Sequence, residues 1–126
     1  MKKKVYIAGK VSGLPFLDVV EKFKKAYYEI EALGFEAVNP VPIVQQYLHD
    51  NPEYLECTEA QIWKLAMKLC IKALMDCDAI VLLPDWADSK GARFEHEIAE
   101  NLDMPIFNAS KGGLAVMKKN STSWNS

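Results

Sequence analysis

The chain has 126 residues, of which 50% are hydrophobic and 25% are charged, a composition that predicts one compact domain with its own hydrophobic core. Its formal net charge is only −2, and the basic run Lys2–Lys4 is short and directly precedes a strand, so we do not expect a nucleic-acid polymer as partner. Because no apolar run approaches the roughly 20 residues that cross a bilayer and no secretory signal is visible, we expect a cytoplasmic protein without membrane contact.

A strand and a helix are predicted at the start of the chain. Residues Val5–Ala8 are continuously apolar and stop at Gly9, a pattern typical of a parallel strand covered on both faces. After a loop, Pro15 can take the first helical position, and apolar residues recur at helical spacing until Gly34 offers a C-terminal cap. The sequence therefore predicts a buried first strand followed by an amphipathic helix.

The middle of the chain predicts a second strand and two further helices. FEAVNP has a strand pattern closed by Asn-Pro, and Pro42 can open a short helix through IVQQYLHD, followed by a polar loop over residues 49–57. Thr58 and Gln61 have the spacing of a capping box, and the apolar stripe that follows predicts a long helix to about Met75.

The last part of the chain contains the clearest strand pattern, DAIVLLP. The segment GARFEHEIAENLD predicts a helix, and PIF predicts a short final strand. The end of the chain is rich in Gly, Ser, Asn and Lys with weak periodicity. We therefore expect a single domain over residues 1–117 and a disordered tail over residues 118–126.

Strands that alternate with helices through short loops predict an α/β fold. We expect a doubly wound parallel sheet of about four to five strands in a flavodoxin-like or Rossmann-like three-layer sandwich. Such sheets bind ligands at the carboxyl ends of their strands, where the strand order reverses. In a flavodoxin-like order the first and third strands are neighbours, so the loops GKVSGL and PDWADSKGA would face one crevice.

The first of these loops contains groups that can bind an anion. Gly9 and Gly13 allow close backbone approach and positive φ, while Lys10 and Ser12 offer donors near a helix amino terminus. The loop has neither the G-x-G-x-x-G nor the Walker pattern, so a dinucleotide or nucleoside-triphosphate site is not indicated. On composition alone, a simple strand-to-helix turn explains it equally well.

The second loop leads into a helix with three glutamates. Ser89 and Gly91 precede helical N–H groups that attract anions, and Glu95 lies about one turn inside. Each of Glu95, Glu97 and Glu100 could be a solvated helix residue instead of a catalyst. Glu97 lies ~200° around the axis from Glu95, so both cannot face the same crevice.

The cysteines do not indicate a disulfide framework or a metal site. Cys57, Cys70 and Cys77 are odd in number, lack C-x-x-C spacing and accompany only two histidines. Three free thiols are therefore expected.

Several segments together resemble a known superfamily. VYIAG through GLPF, NP after the second strand, and CDAIVLLPDWADSKGARFEHEIAENLDMPIF are similar to the nucleoside 2-deoxyribosyltransferase-like superfamily. Its relatives include 2′-deoxynucleoside 5′-monophosphate N-glycosidases and a small uncharacterised branch, common in bacteria and their phages, which the chain resembles most. The resemblance covers roughly residues 3–109.

The resemblance implies a role for each matching residue. Glu95 matches the catalytic nucleophile, and Tyr6 matches the strand-end tyrosine beside it. Ser89 and Gly91 match a phosphate-contacting Ser-x-Gly. The glycines of the first binding loop are matched by Gly9 and Gly13, with Lys10 and Ser12 as further candidates for holding a 5′-phosphate. The implied chemistry needs neither a metal nor an organic cofactor.

One position departs from the superfamily. The transferases and glycosidases have an aspartate eight residues before the aspartate that starts the DAIVLL strand, and counting back from Asp78 gives Cys70. A thiol, with a usual pKa of about 8.5, cannot replace a carboxyl group as an acid at neutral pH, and a small buried hydrophobe is the better interpretation. Asp85 and Asp88 are candidate substitutes, although loop aspartates often serve turns.

Three hypotheses on function follow. The first is an enzyme that hydrolyses or transfers the base of a (deoxy)nucleoside or its 5′-monophosphate, with Glu95 as nucleophile. The second is a nucleotide-binding or sensing module with weakened or no catalysis, and the third is a protein-interaction scaffold. The relatives complete their sites with residues of a neighbouring subunit, which implies a homodimer or higher homo-oligomer, with Asn108 or Ser110 as possible contributors.

Overall fold

The computed structural model describes residues 2–110 together with Leu114 and Met117. The expected tail over residues 118–126 lies outside the described residues. In chain order the elements are β1 (Lys4–Ala8), α1 (Phe16–Ala32), β2 (Glu36–Val38), α2 (Pro40–Asp50), a 3₁₀ helix (Pro52–Glu56), α3 (Glu59–Met75), β3 (Ala79–Leu82), a 3₁₀ turn (Trp86–Asp88), α4 (Lys90–Asn101) and β4 (Ile106–Asn108).

The strands form one parallel sheet in the order β2-β1-β3-β4. The predicted α/β fold and the flavodoxin-like neighbourhood of the first and third strands are therefore confirmed. In the register of β1 and β3, Tyr6 pairs with Ile80 and Ala8 with Leu82, so both strands end at the same edge of the sheet. The loops that follow β1 and β3 consequently leave this edge side by side.

Alternation along β1 divides the core into two layers. Val5 and Ile7 pack against α1 on one face of the sheet, and Met117 joins this layer. Tyr6 and Ala8 point to the other face, where they pack with residues of α3 and α4. The sheet is thus covered on both sides, and its strand parity turns Tyr6 toward α4.

The expected polar loop over residues 49–57 is wrong. Helix α2 starts at Pro40 instead of Pro42, because Asn39 accepts the N–H of Val41 as its cap and Pro40 fits the first helical position. The helix runs to Asp50, and residues 52–56 form a 3₁₀ helix opened by a second proline. The last two residues of α2 and a short 3₁₀ helix thus occupy most of the expected loop, because the polar composition of this segment does not reveal its helical geometry.

The predicted capping box at the start of α3 is confirmed. The N–H of Gln61 donates to Oγ1 of Thr58 at 3.2 Å, and the N–H of Thr58 donates to Oε1 of Gln61 at 2.8 Å. Each bond satisfies a backbone group that a helix end would leave without a partner, typically worth about 1 kcal/mol for the cap. The box thereby sets where α3 begins above the sheet edge.

All three cysteines lie within the described residues and are free thiols. No helix in the described part of the chain is long and apolar enough to cross a membrane.

Candidate active site

A cavity of about 490 Å³ opens at the carboxyl end of β1, next to the start of α4. It is bounded by the loop after β1, by α2 and α3, and by the first turns of α4. Its volume lies within the range of roughly 300–1,000 Å³ that is usual for small-molecule sites. The cavity therefore occupies the position where a sheet of this strand order binds ligands.

Glu95 and Tyr6 meet at the inner end of the cavity. The hydroxyl of Tyr6 donates a hydrogen bond to Oε2 of Glu95 at 2.5 Å. Glu95 is only 5% exposed because it shares the inward face of α4 with Ala92 and Ala99, three and four residues away. A strand residue and a helix residue that are 89 positions apart thus form one buried pair.

Burial determines the ionisation of this pair. Burial raises the pKa of Glu95 to about 7, against the opposing effect of the hydrogen bond from Tyr6. Burial and the neighbouring Glu95 raise the pKa of Tyr6 well above its usual value, so the phenol keeps its proton. At neutral pH the site therefore contains a carboxyl group close to its titration midpoint and a fixed hydrogen-bond donor.

Cys70 is the third member of this cluster. It packs beside the core layer of Tyr6, as expected for a small hydrophobe, but it also lines the cavity. Burial and the charge of Glu95 raise the pKa of the Cys70 thiol to about 11. The thiol therefore stays neutral and is too weak an acid to protonate a leaving group efficiently near pH 7.

The amino terminus of α4 faces the same cavity. Ser89 caps the helix by accepting the N–H of Ala92 at 3.1 Å, and both Ser89 and Gly91 line the cavity. The first turn consists of Lys90, Gly91, Ala92 and Arg93, so its charged side chains are basic. Basic residues add to the positive end of the helix dipole, and this corner therefore favours an anionic group.

Gly91 also allows α4 to approach α3. A Cβ atom there would lie 2.9 Å from the sulfur of Met67, closer than ordinary contacts allow. Lys90 lies beside the same wall, with its Nζ 4.7 Å from the ring centre of Trp63. The close packing of these two helices forms one corner of the cavity.

The loop after β1 supplies three of its predicted residues to the cavity. Gly9, Ser12 and Gly13 line it, and Gly13 has a φ of +82°, which favours glycine. Lys10 lies outside the lining, and its backbone N–H and carbonyl are hydrogen-bonded to Asp85 and Lys22. The structure thus brings seven of the eight predicted site residues together at one cavity and separates Lys10 from them.

The other carboxylates near the motif have different surroundings. Glu97 and Glu100 are exposed, as predicted for solvated helix residues, and Glu100 lies 3.5 Å from Nδ1 of His96. The surroundings of Asp85 do not favour a role as general acid. Partial burial raises its pKa, but hydrogen bonds from Lys22 and Lys10 outweigh that effect and leave the pKa below its ordinary value. Asp88 is exposed at the end of the 3₁₀ turn.

Sequence reasoning missed the apolar wall of the cavity. Val44 and Leu48 of α2 and Ile62, Trp63 and Met67 of α3 line it. The stripe of α3 was visible in the sequence but indicated core packing alone. The signal that distinguishes a cavity wall appears only in the structure, where most of this stripe remains partly exposed.

Possible metal ligands are not clustered within residues 2–110. No group of three or more His, Cys, Asp or Glu side chains in this part of the chain is arranged to hold a metal ion.

Comparison with known proteins identifies a family but no function. A family model described as a domain of unknown function, DUF4406, matches residues 3–108. No curated protein matches the chain. The match spans the whole candidate site, from Tyr6 to Glu95, and most of the 126 residues. The chain therefore belongs to the DUF4406 family.

Proposed function

We propose that this protein cleaves or transfers the base of a (deoxy)nucleoside or of its 5′-monophosphate, with Glu95 as the nucleophile. The observation that supports this most directly is the buried Glu95 carboxyl group held by Tyr6 at the inner end of a small-molecule cavity. The resemblance to the nucleoside 2-deoxyribosyltransferase-like superfamily points to the same two residues. The proposal goes beyond membership of DUF4406, which names no activity.

The proposed reaction has two steps at the anomeric carbon. An oxygen of ionised Glu95 bonds to this carbon while the glycosidic C–N bond breaks, and the electron pair of that bond leaves with the base. Water then attacks the resulting ester, or a second base does so in a transfer, and the carboxylate is regenerated. Tyr6 fixes the carboxyl group through Oε2, which leaves Oε1 free to react.

The raised pKa of Glu95 suits this role in part. A desolvated carboxylate is a better nucleophile than a hydrated one, and burial also favours capture of a cationic carbon. With a pKa of about 7, roughly half of the molecules have the ionised form at pH 7. Activity should therefore increase as the pH rises through 7.

A 5′-phosphate would fit the basic corner at the start of α4. Ser89 and the N–H groups near Gly91 lie at the same cavity as Glu95, about one and a half helical turns away along α4. The ammonium group of Lys90, which lies over the ring of the cavity-lining Trp63, adds positive charge beside this corner, whereas Arg93 donates to the carbonyl of Ala87. These features support a monophosphate over an uncharged nucleoside as substrate.

A second candidate function is nucleotide binding without turnover. The observation that favours it is Cys70, whose thiol has a pKa of about 11 where the superfamily has an aspartate. Loss of a general acid typically slows such reactions ~10²- to 10⁴-fold. A module that binds or senses a nucleotide needs no such group.

As in the relatives, a homodimer or larger homo-oligomer is part of the proposal, and light scattering after gel filtration tests it.

The deciding experiment measures base release and binding together. Nucleosides and 5′-monophosphates are incubated with the protein, released base is followed by chromatography, and binding is followed by thermal shift. Glu95→Gln should stop release and keep binding, whereas the matched control Glu97→Gln, exposed on the same helix, should retain both. Binding without release favours the second candidate. If the protein neither binds a nucleotide nor releases a base, both candidate functions are contradicted and the scaffold hypothesis remains.

A further inference from the structure

Lys22, Asp85 and the backbone of Lys10 form a closed triangle of hydrogen bonds. Nζ of Lys22 donates to Oδ2 of Asp85 at 2.6 Å and to the carbonyl oxygen of Lys10 at 2.5 Å. The N–H of Lys10 donates to Oδ1 of Asp85 at 3.0 Å. Both backbone polar groups of Lys10 and both oxygens of Asp85 are therefore engaged in one network, which we call the loop clamp.

The loop clamp joins three separate elements. Lys22 belongs to α1, Lys10 to the loop after β1, and Asp85 to the loop after β3. These contacts span 12, 63 and 75 positions of the sequence. The two loops are the ones that line the cavity, the first through Gly9, Ser12 and Gly13 and the second through Ser89 at the start of α4. Among the described residues that line the cavity, neither Lys22 nor Asp85 is found.

The surroundings of the ion pair distinguish it from an ordinary surface contact. The Lys22 and Asp85 side chains are 23% and 29% exposed, and three hydrogen bonds satisfy their charges. The exposed pair Lys4–Glu36, in contrast, has a separation of 3.9 Å, with about half of each side chain in solvent. Removing one side chain of the clamp would leave the largely buried charge of the other without its ion-pair partner and one backbone group of Lys10 without its hydrogen bond.

We propose that Lys22 and Asp85 are positioning residues that hold the two cavity loops at a fixed separation and thereby set the affinity for the ligand. Neither side chain lines the cavity or is hydrogen-bonded to Glu95, so they act through the Gly9–Gly13 backbone and through the start of α4. The consequence for ligand affinity rests on the proposed function. The fixed separation of the two loops does not depend on the proposed function, and it can be measured without any ligand.

The first test is amide hydrogen exchange on the whole chain. Lys22→Met keeps the aliphatic stem but removes the ammonium group, and it lies in neither loop. We expect exchange to accelerate together in residues 9–15 and 84–91, while residues of β3 keep their protection. Asp85→Asn should act in the same way, and Lys22→Arg should restore slow exchange because its guanidinium can donate to both acceptors. The matched control Glu36→Gln, which breaks the exposed pair, should change neither loop.

The second test measures binding of the four common 2′-deoxynucleoside 5′-monophosphates. For whichever of them the wild type binds, Lys22→Met should raise Kd or KM by on the order of tenfold, because a small displacement of binding groups has effects of this size. The value of kcat should change less, since Glu95 and Tyr6 stay in place. Lys22→Arg should recover most of the affinity.

Three results would overturn the proposal. Uniform acceleration of exchange, including β3, would mean that the clamp only stabilises the fold. Acceleration in one loop alone would show that the loops are not coupled, and loosened loops with unchanged Kd would show that affinity does not depend on them. If the wild type binds none of the nucleotides, the proposed function fails, while the exchange experiment still decides whether the clamp couples the loops.

Discussion

Tyr6 donates a 2.5 Å hydrogen bond to Glu95 across the interface between β1 and α4, and both residues are almost completely removed from solvent. This bond is the main stabilising contact of the Glu95 carboxylate, since burial raises the pKa of Glu95 while the Tyr6 hydroxyl lowers it. The pair thus links the fold directly to the ionisation of the proposed nucleophile.

Tyr6→Phe should shift the pH dependence of base release. The variant keeps the ring in the core but loses the donor, so the pKa of Glu95 should rise above its present value of about 7. Because a hydrogen bond to a charged group is worth about 1.5–3 kcal/mol, the midpoint of the pH–rate profile should rise by roughly one pH unit or more. The rate at pH 7 should fall accordingly. An unchanged or lower midpoint would show that Tyr6 does not stabilise the reactive carboxylate.

Glu95→Gln should change the pH dependence of stability. In the unfolded chain the carboxyl group has a pKa near its ordinary value of 4.5, and in the folded chain the pKa is about 7. The neutral carboxyl group therefore favours folding below pH 4.5, and this contribution is lost as the pH rises through 7. Glutamine stays neutral throughout, so the free energy of unfolding of the variant, relative to that of wild type, should increase by up to roughly 3 kcal/mol between pH 4.5 and pH 8.

Urea unfolding at pH 4.5 and at pH 8 measures this change in the free energy of unfolding. Glu97→Gln, which replaces an exposed glutamate two residues further along the same helix, serves as the control and should show no comparable gain. A stability difference between Glu95→Gln and wild type that is the same at both pH values would contradict the raised pKa of Glu95.

Local patterns in the sequence predicted most of the elements and the parallel sheet, while the resemblance to the superfamily singled out Glu95 among the three glutamates. The continuous apolarity of Val5–Ala8 and the helical spacing around Glu95 are local, so they could be recognised without a structure. The Lys22–Asp85 contact joins residues 63 positions apart, and nothing in the spacing of a lysine and an aspartate indicates a partner. Lys10 was assigned to the cavity for its charge, whereas its backbone is what the structure uses.

The helix over Pro52–Glu56 and the wall of α3 were missed for a related reason. Short 3₁₀ helices have little periodicity, so polar residues in them resemble a loop. Met67 and Leu74 belong to the same apolar stripe of α3, yet Met67 lines the cavity and Leu74 is fully buried. Which part of an amphipathic stripe faces a core and which part faces a cavity depends on neighbours that are distant in sequence.

Gly9→Ala should destabilise the fold through overpacking. A Cβ atom at position 9 would lie 2.7 Å from Cδ1 and 3.0 Å from Cβ of Leu83, at the start of the loop after β3. Overpacking of a dense core typically costs about 1–3 kcal/mol, which urea unfolding can measure. Leu83→Val removes the nearest atom, so combining it with Gly9→Ala should cost less than the two single changes added together. Simple additivity would contradict a clash between these residues.

Cys70→Asp tests whether a missing acid limits the proposed reaction. Cys70 lines the cavity beside Tyr6 and Glu95, and its thiol, with a pKa of about 11, is too weak an acid to protonate a departing base efficiently at neutral pH. A carboxyl group at this position can serve as general acid, a role typically worth ~10²- to 10⁴-fold in rate. We therefore expect Cys70→Asp to release base faster than wild type below pH 7.

The matched control for this change is Cys70→Asn, which has the same shape as the aspartate but no acidic proton. A second carboxyl group near Glu95 also raises the pKa of Glu95, since two negative charges in a buried site repel each other. The rate of Cys70→Asp should therefore pass through a maximum as the pH changes, whereas the rate of Cys70→Asn should only rise with pH as Glu95 ionises. If the two variants release base at equal rates over the whole pH range, protonation of the leaving base is not the step that Cys70 restricts, and if neither releases base, the cavity is better explained as a nucleotide-binding site without turnover.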